Sequence, residues 1–400
     1  MAFRTIFVFS LVLLIFNIGA ALHLAGSNAI EKFFFILASF AILFRGRPDR
    51  TILSLLFGEL LLVIILGIST PYKGFSWSVL LVSLNQIIVL FALLAGKTSY
   101  RDQQLIWKVT AFLPLVCVVL GFAYQAVGIK PMIATEFATG VPRYLGSLSA
   151  AAFTSALGMC GVFAAVQLVL GGQKKYVVLV LISLLVLVAA GGRATLAVCV
   201  VVTGASVLVQ RGVTITTKIS LVVMGLVGGV AIVAAFWDNF ATRFLQSGDS
   251  GRGIMWDYLR TVIAQYPYTG IGFGHQFYIT PHEIEVIVGS TSAHNDFIRL
   301  SVELGSTGMI IFYVLLTLAV LKASFRGGRP NVVAMLAYSG FLFLSNSDNA
   351  LASPLEFPLI FLALLAGHKK PVPRRVRQRQ GMPAMQQAPH QVAAAASPGE

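Results

Sequence analysis

His294 and Asn295 begin the run His-Asn-Asp-Phe-Ile-Arg-Leu-Ser-Val-Glu-Leu-Gly-Ser-Thr-Gly, whose last glycines are Gly305 and Gly308. An imidazole titrates near neutral pH and takes a proton from a hydroxyl, so His294 is the candidate general base. A helix is expected to start beside it, with Asn295 or Asp296 as N-cap and Phe297, Leu300 and Leu304 on one apolar face. A helix N-terminus favours the neutral imidazole that a base requires, and Asp296 pulls the other way. Gly305 and Gly308 allow a bend or a close helix approach at the entry to the next apolar stretch.

Arginines supply the complementary charge. Arg193 interrupts an otherwise apolar stretch from Tyr176 to Gln210 as Gly191-Gly192-Arg193. Each apolar arm is about 16 residues, or ~24 Å at 1.5 Å per residue, slightly short of the hydrocarbon thickness, which puts Arg193 at or just below a membrane interface. A cation at that depth needs an anion or a water-filled cavity. Arg252 opens an amphipathic stretch stopped by Pro267, and at 100° per residue it shares one stripe with Trp256, Leu259, Ile263 and Tyr266. A cation in the first turn opposes the helix dipole, so capping does not explain it, whereas a bound anion does. Arg143, in Val-Pro-Arg-Tyr-Leu-Gly, is a third candidate for the same site. Taken singly, these residues also read as a plain loop histidine, a snorkelling arginine and solvated loop arginines.

Other features carry less chemistry. Gly270, Gly272 and Gly274 form a GxGxG with no preceding strand and read as a turn. His275 and His282 lie in the same loop at a spacing that does not suit a metal, and Cys117, Cys160 and Cys199 fall in apolar stretches without a CxxC pair. No metal site and no cofactor is expected. Glu59 is a carboxylate in the middle of an apolar stretch, wanting a partner.

The elements that position these groups follow from composition. Hydrophobic residues make up 57% of the chain and charged residues 11%. Apolar runs of roughly 16–22 residues recur, close to the ~20 that an α-helix needs to cross ~30 Å of hydrocarbon, and the ~10-residue alternation of a membrane barrel is missing. The fold class expected is an all-α polytopic membrane protein of about twelve transmembrane helices, near residues 4–23, 29–44, 51–69, 77–96, 106–127, 149–170, 176–190, 194–210, 218–237, 305–322, 331–346 and 354–367. The first span lacks a small-residue cleavage site and reads as a span rather than a cleaved signal peptide. One set of loops carries Arg45, Arg47, Arg50, Lys97, Arg101, Lys108, Lys174, Lys175, Arg211, Lys218, Lys322, Arg326 and Arg329, followed by Lys369, Lys370, Arg374, Arg375, Arg377 and Arg379 in the tail. By the positive-inside rule both termini are cytoplasmic and the long loop lies on the opposite side. The organisation expected is spans in 1–237, one long outer loop with amphipathic helices in 238–304, further spans in 305–367 and a disordered basic cytoplasmic tail in 368–400. The net charge of +14 reflects this topology and contact with anionic membrane lipids, not nucleic-acid binding. A secondary transporter or channel is the competing class, although the ionisable groups, Glu59 apart, gather on one face and no second copy of the loop is evident.

The ordered set of a Gly-Gly-Arg turn, Gly-Arg-x-x-x-Trp at Gly251, Pro-x-x-Gly-x-Gly-x-Gly from Pro267 and His-Asn-x9-Gly-x-x-Gly from His294 resembles the O-antigen ligase and polymerase superfamily, most clearly over about residues 190–310. The resemblance implies a glycosyltransferase of the bacterial inner membrane with a periplasmic active site. Its donor would be an undecaprenyl-diphosphate-linked saccharide, and its acceptor a sugar hydroxyl on a lipid-linked repeat or on lipid A core. A chain-length regulator is a further partner that it admits. It implies that Arg193 and Arg252, with Arg143, hold the diphosphate and that His294 is the base, supported by Asn295, Gly305 and Gly308. The turn reads Gly-Gly-Arg where many relatives have Ser-Arg, and the segment after Arg143 is Ala/Ser-rich where relatives often place Asn. The loop signatures lean toward polymerisation of exopolysaccharide or O-antigen repeats over ligation. A metal-independent, inverting transfer is expected, because arginines suit bidentate phosphate contact and clusters of acidic metal ligands are missing.

Overall fold

The computed structural model describes residues 2–17, 27–44, 47–135, 140–210, 213–235, 237, 241, 252–326, 328–353 and 358–366. The tail 368–400 and residues 242–251 of the expected loop lie outside the described residues. Helices follow in the order α1 (Ala2–Phe16), α2 (Ser27–Phe44), α3 (Arg50–Ser69), α4 (Trp77–Ser83), α5 (Asn85–Ala95), α6 (Tyr100–Ala126), α7 (Ala151–Leu170), α8 (Val177–Ala189), α9 (Arg193–Val209), α10 (Ile215–Ala235), α11 (Arg252–Gln265), α12 (His282–Val288), α13 (Asp296–Ser324), α14 (Val332–Ser345) and α15 (Pro358–Ala366). Length and apolar composition mark α3, α4 with α5, α6, α7 and α13 as able to cross a membrane. Helix runs through part or all of each of the other expected spans, but the described residues establish five such crossings, not twelve. A short antiparallel hairpin of β1 (Ile133–Thr135) and β2 (Pro142–Tyr144) departs from the all-helical expectation and carries Arg143.

The helix α3 shows why the fold belongs in lipid. Phe57, Leu61, Ile65 and Ile68 are exposed along one stripe, while the carboxylate of Glu59 is fully buried on the other face among Ile52, Val63 and Gly67. Water would reverse that pattern, whereas hydrocarbon favours it. Neither oxygen of Glu59 has a hydrogen-bond partner among the described residues. The central post is α7, almost wholly buried and packed against α6, α8 and α9. Gly158 lets it approach α8 so closely that a Cβ there would stand 2.8 Å from the Leu187 backbone nitrogen.

Two interruptions shape the end of the bundle where the candidate residues lie. The expected span 77–96 is not continuous. It breaks at Leu84 between α4 and α5, and Asn85 Nδ2 donates to the Val82 carbonyl at 2.7 Å, satisfying an oxygen next to the break. The second interruption is a kink inside α13 at Gly305, whose φ of 70° and ψ of 163° leave the helical region. There the carbonyls of Val302 and Glu303 accept from the amides of Ile271 and Gly272, both at 2.9 Å, and the freed amide of Ser306 donates to Pro267 at 3.0 Å. The Pro-x-x-Gly-x-Gly turn is thus the clip that satisfies a broken helix, where its backbone groups would otherwise be orphaned. A side chain at Gly305 would meet the Tyr268 carbonyl carbon at 2.5 Å, and one at Gly270 would run into the Glu303 carbonyl.

Candidate active site

His294 sits on the last residue before the Asn295 cap of α13, with a left-handed φ of 47°. A residue with a Cβ is unfavourable in that conformation by about 1–3 kcal/mol, so the neighbours must hold it. They do so on both sides. Trp256 Nε1 of α11 donates to the Ala293 carbonyl at 2.7 Å, and Gln276 Oε1 accepts from the Ala293 amide at 3.3 Å. On the other side Asn295 Oδ1 accepts from the Ile298 amide at 3.1 Å while its Nδ2 donates to the Asn346 carbonyl at 3.0 Å. Asn295 therefore ties the start of α13 to the turn after α14.

That turn delivers Asp348. Its Oδ1 lies 3.1 Å from His294 Nδ1, with the two side chains 26% and 27% exposed. An ionised carboxylate only accepts, so Nδ1 carries the proton and the lone pair of Nε2 is left to act as a base. Ser290 Oγ lies 3.3 Å from Nε2 and is placed to donate to that lone pair. Burial alone would raise the Asp348 carboxyl, but the hydrogen bond and charge of His294, the Asn349 amide and the field of Arg252 outweigh it and hold Asp348 below the usual carboxylate range. Arg252 reaches the same turn, its Nη1 donating to the Ser347 carbonyl at 2.7 Å. The buried stripe of α11 is Met255, Leu259 and Val262, one step round from the expected stripe, with Trp256, Ile263 and Tyr266 flanking it. Arg252, half-buried, lies in register with that stripe.

His294 and Asp348 open onto a cavity of about 790 Å³. Its wall draws on the α4–α5 break, the N-terminal turn of α7, the loop from Gly274 to Ser292 and the turn from Asp348 to Ser353. The three candidate arginines are not on that wall. Arg143 and the Arg193 turn form a second grouping: Arg143 Nε donates to the Ala190 carbonyl at 2.9 Å, fastening β2 to the turn that carries Arg193, which is exposed on the first residue of α9. Gly192 in that turn abuts Ser155 of α7, where a Cβ would stand 2.6 Å from Ser155 Cβ. Ala152 and Phe153, one helical turn back, line the cavity. The structure therefore joins Arg252 to the turn that carries Asp348, and joins Arg143 to the Arg193 turn, which packs against Ser155 of α7.

Several residues of the site escaped the sequence reading. Asp348 is the clearest. The polar run Ser345-Asn-Ser-Asp-Asn between two apolar spans, on the expected outer side, is the signal that marked it. Behind the wall, Arg299 and its acidic neighbours Asp296 and Glu303 are fully buried in the first part of α13. Asp296 Oδ1 accepts from Arg299 Nε at 2.9 Å and its Oδ2 from the Leu351 amide at 2.7 Å, while Glu303 Oε1 accepts from the Gln276 amide at 3.3 Å. This ionic core binds the cavity's walls to one another. Removing Arg299 would leave two carboxylates buried without their cation, at a cost of about 3–5 kcal/mol. Gly308 packs against Leu66 of α3, where a Cβ would stand 2.7 Å from Leu66 Cδ1, so its role is close helix approach. His275 and His282 stand apart from the pair, the first buried and the second exposed.

No curated protein matches the chain. Residues 176–313 match the family model described as O-antigen ligase. That segment holds Arg193, Arg252, His294 and the glycine-clipped kink, while Arg143 and Asp348 lie outside it. Over these residues, about a third of its length, the chain is similar to that family.

Proposed function

We propose that the protein is a glycosyltransferase of the bacterial inner membrane that takes an undecaprenyl-diphosphate-linked saccharide at the periplasmic face and transfers it to a sugar hydroxyl, polymerising exopolysaccharide or O-antigen repeat units. The observation that carries the reading is a histidine at the edge of a large cavity whose Nδ1 is held by a carboxylate and whose Nε2 faces the Ser290 hydroxyl, with an arginine donating to the turn that bears the carboxylate. In this reading Nε2 of His294 takes the proton of the acceptor hydroxyl as its oxygen attacks the anomeric carbon. The bond from that carbon to the diphosphate oxygen breaks, and undecaprenyl diphosphate leaves as an anion. Arg252, with Arg193 and Arg143 from the neighbouring grouping, matches that developing charge, so that fixed cations serve where other transferases use a metal. Asp348 keeps the imidazole in the required tautomer and stabilises the imidazolium once it forms.

The topology that goes with this reading has both termini in the cytoplasm, spans in 1–237 and 305–367, the loop 238–304 in the periplasm, and 368–400 as a basic cytoplasmic tail. Its support is the charge asymmetry between alternate loops. A lipid-linked repeat is the acceptor we favour, with a chain-length regulator as a further partner. The family description favours a second acceptor, lipid A core, as in ligation. A strain deleted for the gene separates them: unpolymerised single repeats mark the polymerase, and normal-length chains left on the undecaprenyl carrier mark the ligase. A single displacement inverts the anomeric carbon, so a product that retains the donor configuration would overturn the mechanism.

A further inference from the structure

Four side-chain amides line the cavity, those of Asn17, Asn85, Gln86 and Asn349. Three of them donate into the protein: Asn17 Nδ2 to the Ser147 carbonyl at 3.3 Å, Asn85 Nδ2 to the Val82 carbonyl at 2.7 Å, and Asn349 Nδ2 to Ser292 Oγ. Gln86, in α5, is different. Its carbonyl oxygen accepts from Nη1 of the buried Arg299 at 3.3 Å. A guanidinium has donors only, so this contact fixes which way round the amide lies, with the oxygen toward Arg299 and the NH2 left for the cavity. Arg299 is itself held by Asp296, with Glu303 3.9 Å away, and stands 6.0 Å from the ring of Phe277, which also lines the cavity. Among the described residues the wall's ionic groups are His294 and Asp348, paired with each other, and no lysine or arginine is on it. Among the described residues an anionic sugar would find no free cation there, and a neutral one meets hydroxyls, apolar surface and one amide whose NH2 faces the cavity.

We propose that Gln86 is a specificity-determining contact to a neutral acceptor sugar, its NH2 donating to a hydroxyl or acetamido oxygen near the hydroxyl that His294 activates, and that Arg299 is the positioning residue that orients it. The proposal rests on the glycosyl-transfer reading. Its test uses the full chain in proteoliposomes, with lipid-linked repeat units extracted from a strain lacking the protein as the probe. Gln86→Met removes the donor and is expected to raise KM for the repeat unit about tenfold, as loss of one neutral hydrogen bond does, with kcat within about twofold and an unchanged pH profile. Gln86→Glu, when ionised, keeps an acceptor for Arg299 but offers no N–H, and the same rise in KM is expected; it carries the test if the Met variant fails to fold. Wild-type KM in the folded variants, or a fall in kcat at constant KM, overturns the assignment. His294→Ala, run alongside, separates the two ideas. If it is inactive while the Gln86 variants behave as wild type, only the Gln86 proposal falls; if it transfers glycan, the reading of the cavity falls with it.

Discussion

His275 and His294 stand in one loop and make opposite use of the same ring. His275 is buried, stacked on Phe75 with ring centroids 5.1 Å apart. Its Nε2 accepts from the Ser76 amide at 2.8 Å and its Nδ1 faces the carbonyls of Gly272 and Phe273 at 3.1 and 3.2 Å. Both nitrogens are engaged by backbone, which fixes one tautomer and joins the loop to the segment before α4. Burial holds this imidazole below the usual histidine range, against the backbone hydrogen bonds that raise it, so it stays neutral. His294 has one nitrogen on a carboxylate and the other toward a hydroxyl at the mouth of a cavity. Its backbone is strained where that of His275 is ordinary, with φ of 47° against −87°. Strain held in place by surrounding hydrogen bonds is a mark of a working site, and full engagement by backbone is a mark of a structural one.

The contrast makes graded predictions. Asp348→Asn leaves the fold in place but permits the wrong tautomer at His294, so kcat for glycan transfer should fall on the order of 10³-fold while the unfolding midpoint stays near that of wild type. His275→Ala should do the reverse. It leaves the Ser76 amide without its acceptor and a void beside Phe75, costing about 2–4 kcal/mol in thermal unfolding, with activity per folded molecule retained. The same residue sets an acid limit. Because its folded pKa is lowered, the unfolded chain binds the proton first, so stability is full above about pH 6.5 and declines as pH falls below it. Asp348, also lowered, contributes stability that is present above the ordinary carboxylate range and lost only at lower pH. The midpoint measured from pH 7.5 to 5 should therefore drop in wild type and drop less in His275→Ala. His282, whose side chain is 83% exposed with Glu285 3.6 Å away, should tolerate alanine within about 0.5 kcal/mol and without loss of transfer.

How much of this was legible in the sequence depended on range. Apolar run length is local, so the membrane class and most helices followed from it. His294 and its Asn295 cap were also local, since a cap and its amide lie three residues apart. Asp348 was not, because its partner is 54 positions away and only the packing of α14 against α13 brings them together. The glycines of 270–274 read correctly as a turn, yet their purpose, clipping the kink at Gly305, depends on contacts across more than thirty residues of chain. Arg193, Arg252 and Arg143 were expected to converge on one ligand. Helix phase and turn depth gave each a side of the membrane but no mutual distance; in the folded chain Arg252 is bonded to the turn that carries Asp348 and Arg143 to the turn that carries Arg193.

Glycan growth from lipid-linked repeats in vesicles that hold His294→Ala tests the central assignment most directly. With the variant folded, as judged by its unfolding midpoint, we expect no product above that of protein-free vesicles. Chains formed at the wild-type rate would contradict the placement of glycosyl transfer at this histidine and its cavity.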